Sequence, residues 1–170
     1  MNAGESAFWL FSLQFYRRPG VAEVCLSLQD NAGCDVNLLF FILFLSINER
    51  RLTADEVRCI EACIGDWRRR VVQPLRAIRR DLKGGILPVD AQAAEALRSA
   101  IKRDELAAER VQQETLEREF PVASTGARAA PRVAAAANIA AYGAITALAG
   151  TLPEAAVNTL LTALAEEFLT

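Results

Sequence analysis

Residues 8–46, FWLFSLQFYRRPGVAEVCLSLQDNAGCDVNLLFFILFLS, decide the fold. The stretch is dense in aromatic and aliphatic residues, and its apolar positions recur at helical spacing rather than alternating. In the first segment, about Glu5 to Arg18, Trp9, Leu13 and Tyr16 line one side and Phe8, Phe11 and Phe15 the flank, which predicts a mostly buried helix. Pro19 stands where a new helix can begin, because its missing N–H would have no partner there anyway. Val21, Val24, Cys25 and Leu28 then mark a second helix, Val21–Asp30, which Gly33 ends. Asp35 can N-cap a third helix, Val36–Ile47, by accepting its first backbone N–H groups. That helix is apolar nearly all round, the pattern of a central core element.

The remainder of the chain agrees with an all-α reading. Of its 170 residues 52% are hydrophobic but only 7% aromatic, so the excess is alanine and leucine, both helix formers. A chain of this length is ordinarily one domain with a proper core. Thr53-Ala54-Asp55-Glu56 is a capping box, and Val57, Ile60, Ile64, Trp67 and Val71 give the helix after it an apolar face. That helix should run to about Lys83 with a kink or break near Gln73, because Pro74 follows. Asp90 can cap another helix to about Glu119, with a thin stripe of Leu97, Ile101, Ala108 and Val111. Residues 121–130, PVASTGARAA, read as a flexible linker. Residues 131–169 read as an alanine-rich helical hairpin whose bulk comes from Leu148, Val157, Leu160, Leu161 and Leu164. The expected architecture is a compact bundle of about six helices, with residues 1–85 as its N-terminal part, a long kinked helix, an amphipathic helix over 90–119 and the C-terminal hairpin.

No transmembrane span is expected. Val36–Ile47 is too short to cross a bilayer, and the alanines of Val133–Gly150 gain little from lipid. The N-terminus has no basic region followed by a cleavage site, so a cytoplasmic protein is expected. Cys25, Cys34, Cys59 and Cys63 are then reduced, buried small hydrophobes. A net charge of −2 implies no partner by itself.

The N-terminal block carries a resemblance. Phe8 to Leu13 (FWLFSL), Pro19 to Val21 (PGV), Leu28 to Asp30 (LQD) and Asp35 to Leu39 (DVNLL) are similar to the shared block of a proteobacterial family catalogued as domain of unknown function 2390. Its members are chains of about this length. The likeness covers roughly the first fifty residues and continues weakly through Trp67-Arg68 and Pro74-Leu75-Arg76. Phe44 departs from the family pattern, which has tryptophan there, and the alanine-rich tail has no counterpart. The resemblance implies a fold label and no activity.

Two groups of residues carry candidate chemistry. Gln29, Asp30, Asn31, Asp35 and Asn37 cluster where the second helix gives way to the third. Their carboxylates could converge on Mg²⁺, which favours oxygen ligands, or could work as an acid–base pair. The structural alternative is that Asp35 caps a helix and Asp30-Asn31 shape a turn. Basic residues outnumber acids from Glu49 to Lys83, and Arg69, Arg76, Arg80 and Lys83 share a face if the helix continues past Pro74. Such a stripe can hold phosphate groups, or it can be a solvated face with ion-pair partners. Without interleaved aromatic residues for base stacking, nucleic acid is disfavoured. The chain has no histidine, which removes Ser–His and Cys–His nucleophiles and most zinc chemistry.

The functional expectation is therefore a cytoplasmic helical binding or adaptor module, with enzyme chemistry resting on carboxylates, arginines or a bound cofactor left open. Its partner would be a protein helix or a second copy, through a homodimer built on residues 131–169 or through the thin stripe of the 90–119 helix. The alternative is a small-ligand or enzyme site in which Asp30 and Asp35 face Arg68, Arg69 or Arg76, with Arg80 beside them, suited to a phosphorylated substrate with Mg²⁺ on Asp30 and Asp35. No other cofactor is expected. A second alternative is phosphate-backbone binding through the arginine-rich helix.

Overall fold

The computed structural model of the chain describes residues 5–86, 88–146 and 150–168. Helices α1 (Ala7–Tyr16), α2 (Val21–Ala32) and α3 (Val36–Ile47) lead to a two-residue strand β1 (Arg50–Arg51). Helix α4 (Ala54–Trp67) passes through a π-helical turn, Arg68–Val72, into α5 (Gln73–Asp81). The long α6 (Ala91–Glu119), strand β2 (Ala127–Arg128), α7 (Pro131–Gly143) and α8 (Glu154–Phe168) complete the all-α architecture. Among the described residues no helix is long and apolar enough to cross a membrane.

Helix α3 is the centre of the bundle, with every residue from Asn37 to Ser46 buried. Helix α1 lays Phe8, Phe11 and Phe15 on it, Phe8 meeting Phe41 edge-on at 5.0 Å between ring centres and Phe15 meeting Phe40 at 5.1 Å. Tyr16, at the end of α1, is partly buried and 41% exposed. Gly20 begins α2 with φ +77°, and a Cβ there would lie 3.0 Å from Thr159 on α8, so the Pro-Gly turn lets α2 and α8 approach closely.

Helix α7 packs along α3, and α8 lies against α2. Asn138 on α7, fully buried, ties three segments together: its Nδ2 donates to Ile42 O and Arg50 O, both at 2.9 Å, and its Oδ1 accepts from Leu52 N at 2.6 Å. Ala134, Ala135, Ile139, Tyr142, Leu160 and Leu164 are buried in the chain's own core. Leu148, expected to add bulk to this region, lies outside the described residues.

Four sequence expectations are corrected in detail. Pro74 does not stop or sharply break its helix; the preceding turn widens, with Gln73 N–H donating to Arg68 O, and this π geometry gives the proline ring room. The 121–130 segment is pinned rather than loose. Its β2 pairs with β1, Ala129 N–H donates to Glu49 O at 3.1 Å, and Val122 packs on the core. On α6 the buried face is Ala94, Glu105, Ala108, Gln112, Gln113 and Leu116, while Leu97 and Val111 are exposed. Cys25 and Cys34 are buried, but Cys59 and Cys63 lie on the surface of α4.

Candidate functional site

The site forms where the N-terminal end of α3 meets the π turn and the middle of α6. Asp35 ends the α2–α3 connection in extended backbone, and its Oδ1 accepts from Asn37 N at 2.9 Å and Leu38 N at 3.2 Å, capping α3. Its Oδ2 accepts from Gln112 Nε2 at 2.7 Å and from Arg68 Nη1 at 3.4 Å. The buried Tyr142 closes the back of the connection, accepting from Asp35 N at 2.7 Å and donating to Asp35 O at 3.2 Å. Burial pushes the Tyr142 hydroxyl well above its ordinary pKa, so it remains a donor. One residue along α6, Gln113 Nε2 donates to Asn37 Oδ1 at 2.7 Å.

A cavity of about 370 Å³ opens beside this hub. Gln29, Asp30, Asp35 and Asn37 line one side, Arg68, Arg76 and Arg80 the other, and Gln112 also contributes. The structure thus brings together residues from both candidate groups. Asn31 and Arg69 lie outside the cavity: Asn31 donates to Ser27 Oγ at 3.2 Å, and Arg69 pairs with Asp66 on the surface. The arginine stripe is split, because Arg76 and Arg80 turn inward to the cavity while Arg69 remains outside.

Each cavity arginine already has a carboxylate. Arg68 reaches Glu61 at 2.8 Å as well as Asp35. Arg76 spans Glu105 at 2.9 Å and Glu109 at 2.5 Å, and Arg79, next to the cavity, also binds Glu105. Arg80 pairs with Asp30 at the rim, where both side chains are 46% exposed. Burial raises the Glu109 carboxyl above its ordinary pKa despite Arg76. Burial acts the same way on Glu105, but hydrogen bonds from Arg79 and Arg76 outweigh it and hold that carboxyl low.

Asp30 and Asp35, the carboxylates that the sequence offers for a cation, are both engaged within the chain. Asp35 accepts from four donors, which fills the lone-pair sites of a carboxylate. Asp30 would have to leave Arg80 to meet a metal. Among the described residues no three histidine, cysteine, aspartate or glutamate side chains converge as a metal site would require.

Gln112, Gln113, Glu105 and Glu109 were invisible as site residues in the sequence. Their spacing on α6 is helical, but polar residues at helical spacing read as a solvated face unless their partners are known. The matching signal was the arginine-rich α5, whose side chains needed carboxylates from elsewhere in the chain.

A family model described as "Protein of unknown function (DUF2390)" matches residues 7–116, more than half of the chain. The chain belongs to the DUF2390 family. The match runs from the start of α1 to Leu116 on α6, well past the N-terminal block that suggested it. It therefore takes in both halves of the cavity, while β2, α7 and α8 lie beyond it. No curated protein and no solved structure matches the chain.

Proposed function

We propose that this DUF2390 chain is a helical binding module whose ligand is a small anion, a phosphate ester or carboxylate, held in the Arg68–Arg76–Arg80 cavity. The observation that carries the reading is the convergence of three guanidinium groups on one cavity of about 370 Å³, a volume in the range of small-molecule sites. The planar guanidinium fork matches phosphate and carboxylate oxygens two at a time. Arg80 is the exchangeable donor. Its pair with Asp30 is a surface pair of the kind worth at most about 1 kcal/mol, so a ligand oxygen can replace Asp30 at little cost. The π turn supports the reading, since such turns recur at functional sites and this one supplies Arg68 and Val72 to the cavity wall. Mg²⁺ would enter only with the ligand, at Asp30 once released. The four thiols are free, two of them on the surface, which suits a reducing compartment such as the cytoplasm.

Calorimetric titration with inorganic phosphate and pyrophosphate, with and without MgCl₂, tests the proposal. Binding that weakens at least about tenfold in Arg80→Gln, with an unchanged melting temperature, supports it. Wild-type protein that binds neither probe and retains no extra mass in native mass spectrometry would sink it.

A protein partner is the second reading, favoured by the exposure of Leu97 (54%) and Val111 (46%) on α6 and of Trp67 (37%), whose indole N–H donates to Ala108 O at 3.0 Å. Self-association through residues 131–169 has less support, because Ile139, Tyr142, Leu152, Leu160 and Leu164 serve the chain's own core, although Val133 is exposed. Leu97→Glu and Val111→Glu separate the two readings: they would abolish capture of a protein partner or dimerisation and leave anion binding intact.

A further inference from the structure

We propose that α5 is a lid on the cavity, held shut by ion pairs and hinged at the π turn. The proposal rests on the anion-site reading for its biological sense, but its mechanics stand on separate observations.

No residue of α5 is fully buried. Leu75 and Leu82 are half-buried, and Ile78 is 48% exposed. Apolar burial, the main brake on local opening, is therefore slight along the whole helix. Charge holds it instead. Arg76 and Arg79 bind Glu105 on α6, Arg76 also binds Glu109, and Arg80 binds Asp30 at the end of α2. The last of these is the only one of the four that ties α5 across the cavity to α2 rather than back to α6.

Both ends of α5 are built to give way. At the N-terminal end, Pro74 donates no hydrogen bond and the π turn interrupts the regular α-helical ladder. At the C-terminal end, Gly84 and Gly85 both sit at positive φ, +97° and +79°, where glycine moves without strain. Between these hinges α5 contributes Arg76, Ala77, Arg80 and Asp81 as one wall of the cavity. Swinging α5 away from α2 removes that wall and opens the site. The rim pair Arg80–Asp30 is the latch, and an anion that takes Arg80 from Asp30 would release it on entry and bridge the same gap once bound.

Hydrogen exchange read by mass spectrometry on the full chain at low ionic strength tests the lid. Asp30→Asn should speed exchange of the 75–82 amides about threefold, the effect of losing one surface pair, and leave α3 and residues 105–116 of α6 unchanged. Glu105→Gln, which removes the charge that Arg76 and Arg79 share and one of its two acceptor oxygens, should speed the same amides further. If Glu105→Gln unfolds the protein, Asp30→Asn alone decides, since both partners of its pair are half-exposed. An α5 as protected as α3, or one indifferent to Asp30→Asn, overturns the lid. Inorganic phosphate separates the two proposals. Slower 75–82 exchange on its addition supports both, whereas a latch-sensitive α5 that ignores phosphate supports the lid and counts against the anion site.

Discussion

Gln112 Nε2 donates to Asp35 Oδ2 across 2.7 Å, joining the middle of α6 to the first residue of the α3 cap. A carboxylate only accepts, so the Gln112 amide has one possible orientation, with its Oε1 turned away and without a partner among the described residues. Asp35 is thereby committed on both oxygens, one to the α3 backbone and one to Gln112 and Arg68. The cavity is assembled around a residue that is itself structural.

Two substitutions at Asp35 should therefore differ sharply. Asparagine keeps the capping oxygen, and Gln112 can flip to present Oε1 to the new amide, while Arg68 retains Glu61. Asp35→Asn should cost about 1 kcal/mol. Asp35→Ala loses the cap and leaves Arg68 and Gln112 facing a gap, a loss of about 3 kcal/mol. Urea unfolding of the two variants checks the contrast, and equal losses would show that the Gln112 flip does not occur.

Glycine positions give a second contrast. Gly126 sits at φ +69°, and a Cβ there would lie 2.6 Å from Arg51 O, so backbone strain and overlap add. Gly126→Ala should cost about 3 kcal/mol. Gly33 has a similar φ of +62° but open space around it, so Gly33→Ala should show the strain alone, about 1 kcal/mol. Thermal unfolding of the pair separates conformational strain from close approach.

The helical plan was legible where its signals are local. Ser or Thr caps, carboxylates and prolines act within four residues, and Asp35, Thr53 with Glu56, and Asp90 all cap as their positions suggest. The rotation of α6 was not legible. Apolar spacing favoured Leu97 and Val111, but the buried face includes Glu105 and Gln112, whose burial is compensated by Arg76, Arg79 and Asp35 far away in the chain. A hydrophobic pattern has no means of recognising a buried polar residue with a distant partner. The β1–β2 pairing was hidden for a simpler reason, since two residues are too few to show alternation. At the site, the Asp30, Asp35, Arg68 and Arg76 grouping was legible as residue types needing partners, while the partners on α6 were not.

The thiols should separate by location. Cys25 is 1% exposed, and burial, with Cys34 nearby, pushes its pKa up to about 12, so almost no thiolate forms at neutral pH. Burial raises Cys34 as well. Titration of the native protein with an aromatic disulfide reagent should release about two equivalents quickly, from Cys59 and Cys63, and the remaining two only on unfolding. Four fast equivalents would mean that the α2–α3 connection opens readily in solution.

Glu105 and Glu109 sit one turn apart on α6, share Arg76, and should respond to pH with opposite sign. The folded pKa of Glu109 lies above its ordinary value of 4.5, because burial outweighs Arg76. Its ionisation therefore costs the folded state stability as pH rises through 4.5 toward the raised value, and the full cost persists above it. Glu109→Gln removes that cost, and Arg76 keeps Glu105. This variant should melt above wild type at neutral pH, with the difference shrinking as pH falls through the raised value toward 4.5 and vanishing below it. Glu105 has a folded pKa below 4.5, because the Arg79 and Arg76 hydrogen bonds outweigh its burial. Its contribution is present above 4.5 and lost as pH falls through the lowered value. Glu105→Gln should melt below wild type at neutral pH, and that gap should also close on acidification. Melting temperatures of the three proteins from acid to neutral pH should form curves that converge at low pH and fan out on either side of wild type at pH 7. If both variants fall below wild type at neutral pH, the Arg76 ion pair outweighs burial at Glu109, and α5 is held more tightly to α6 than its exposure implies.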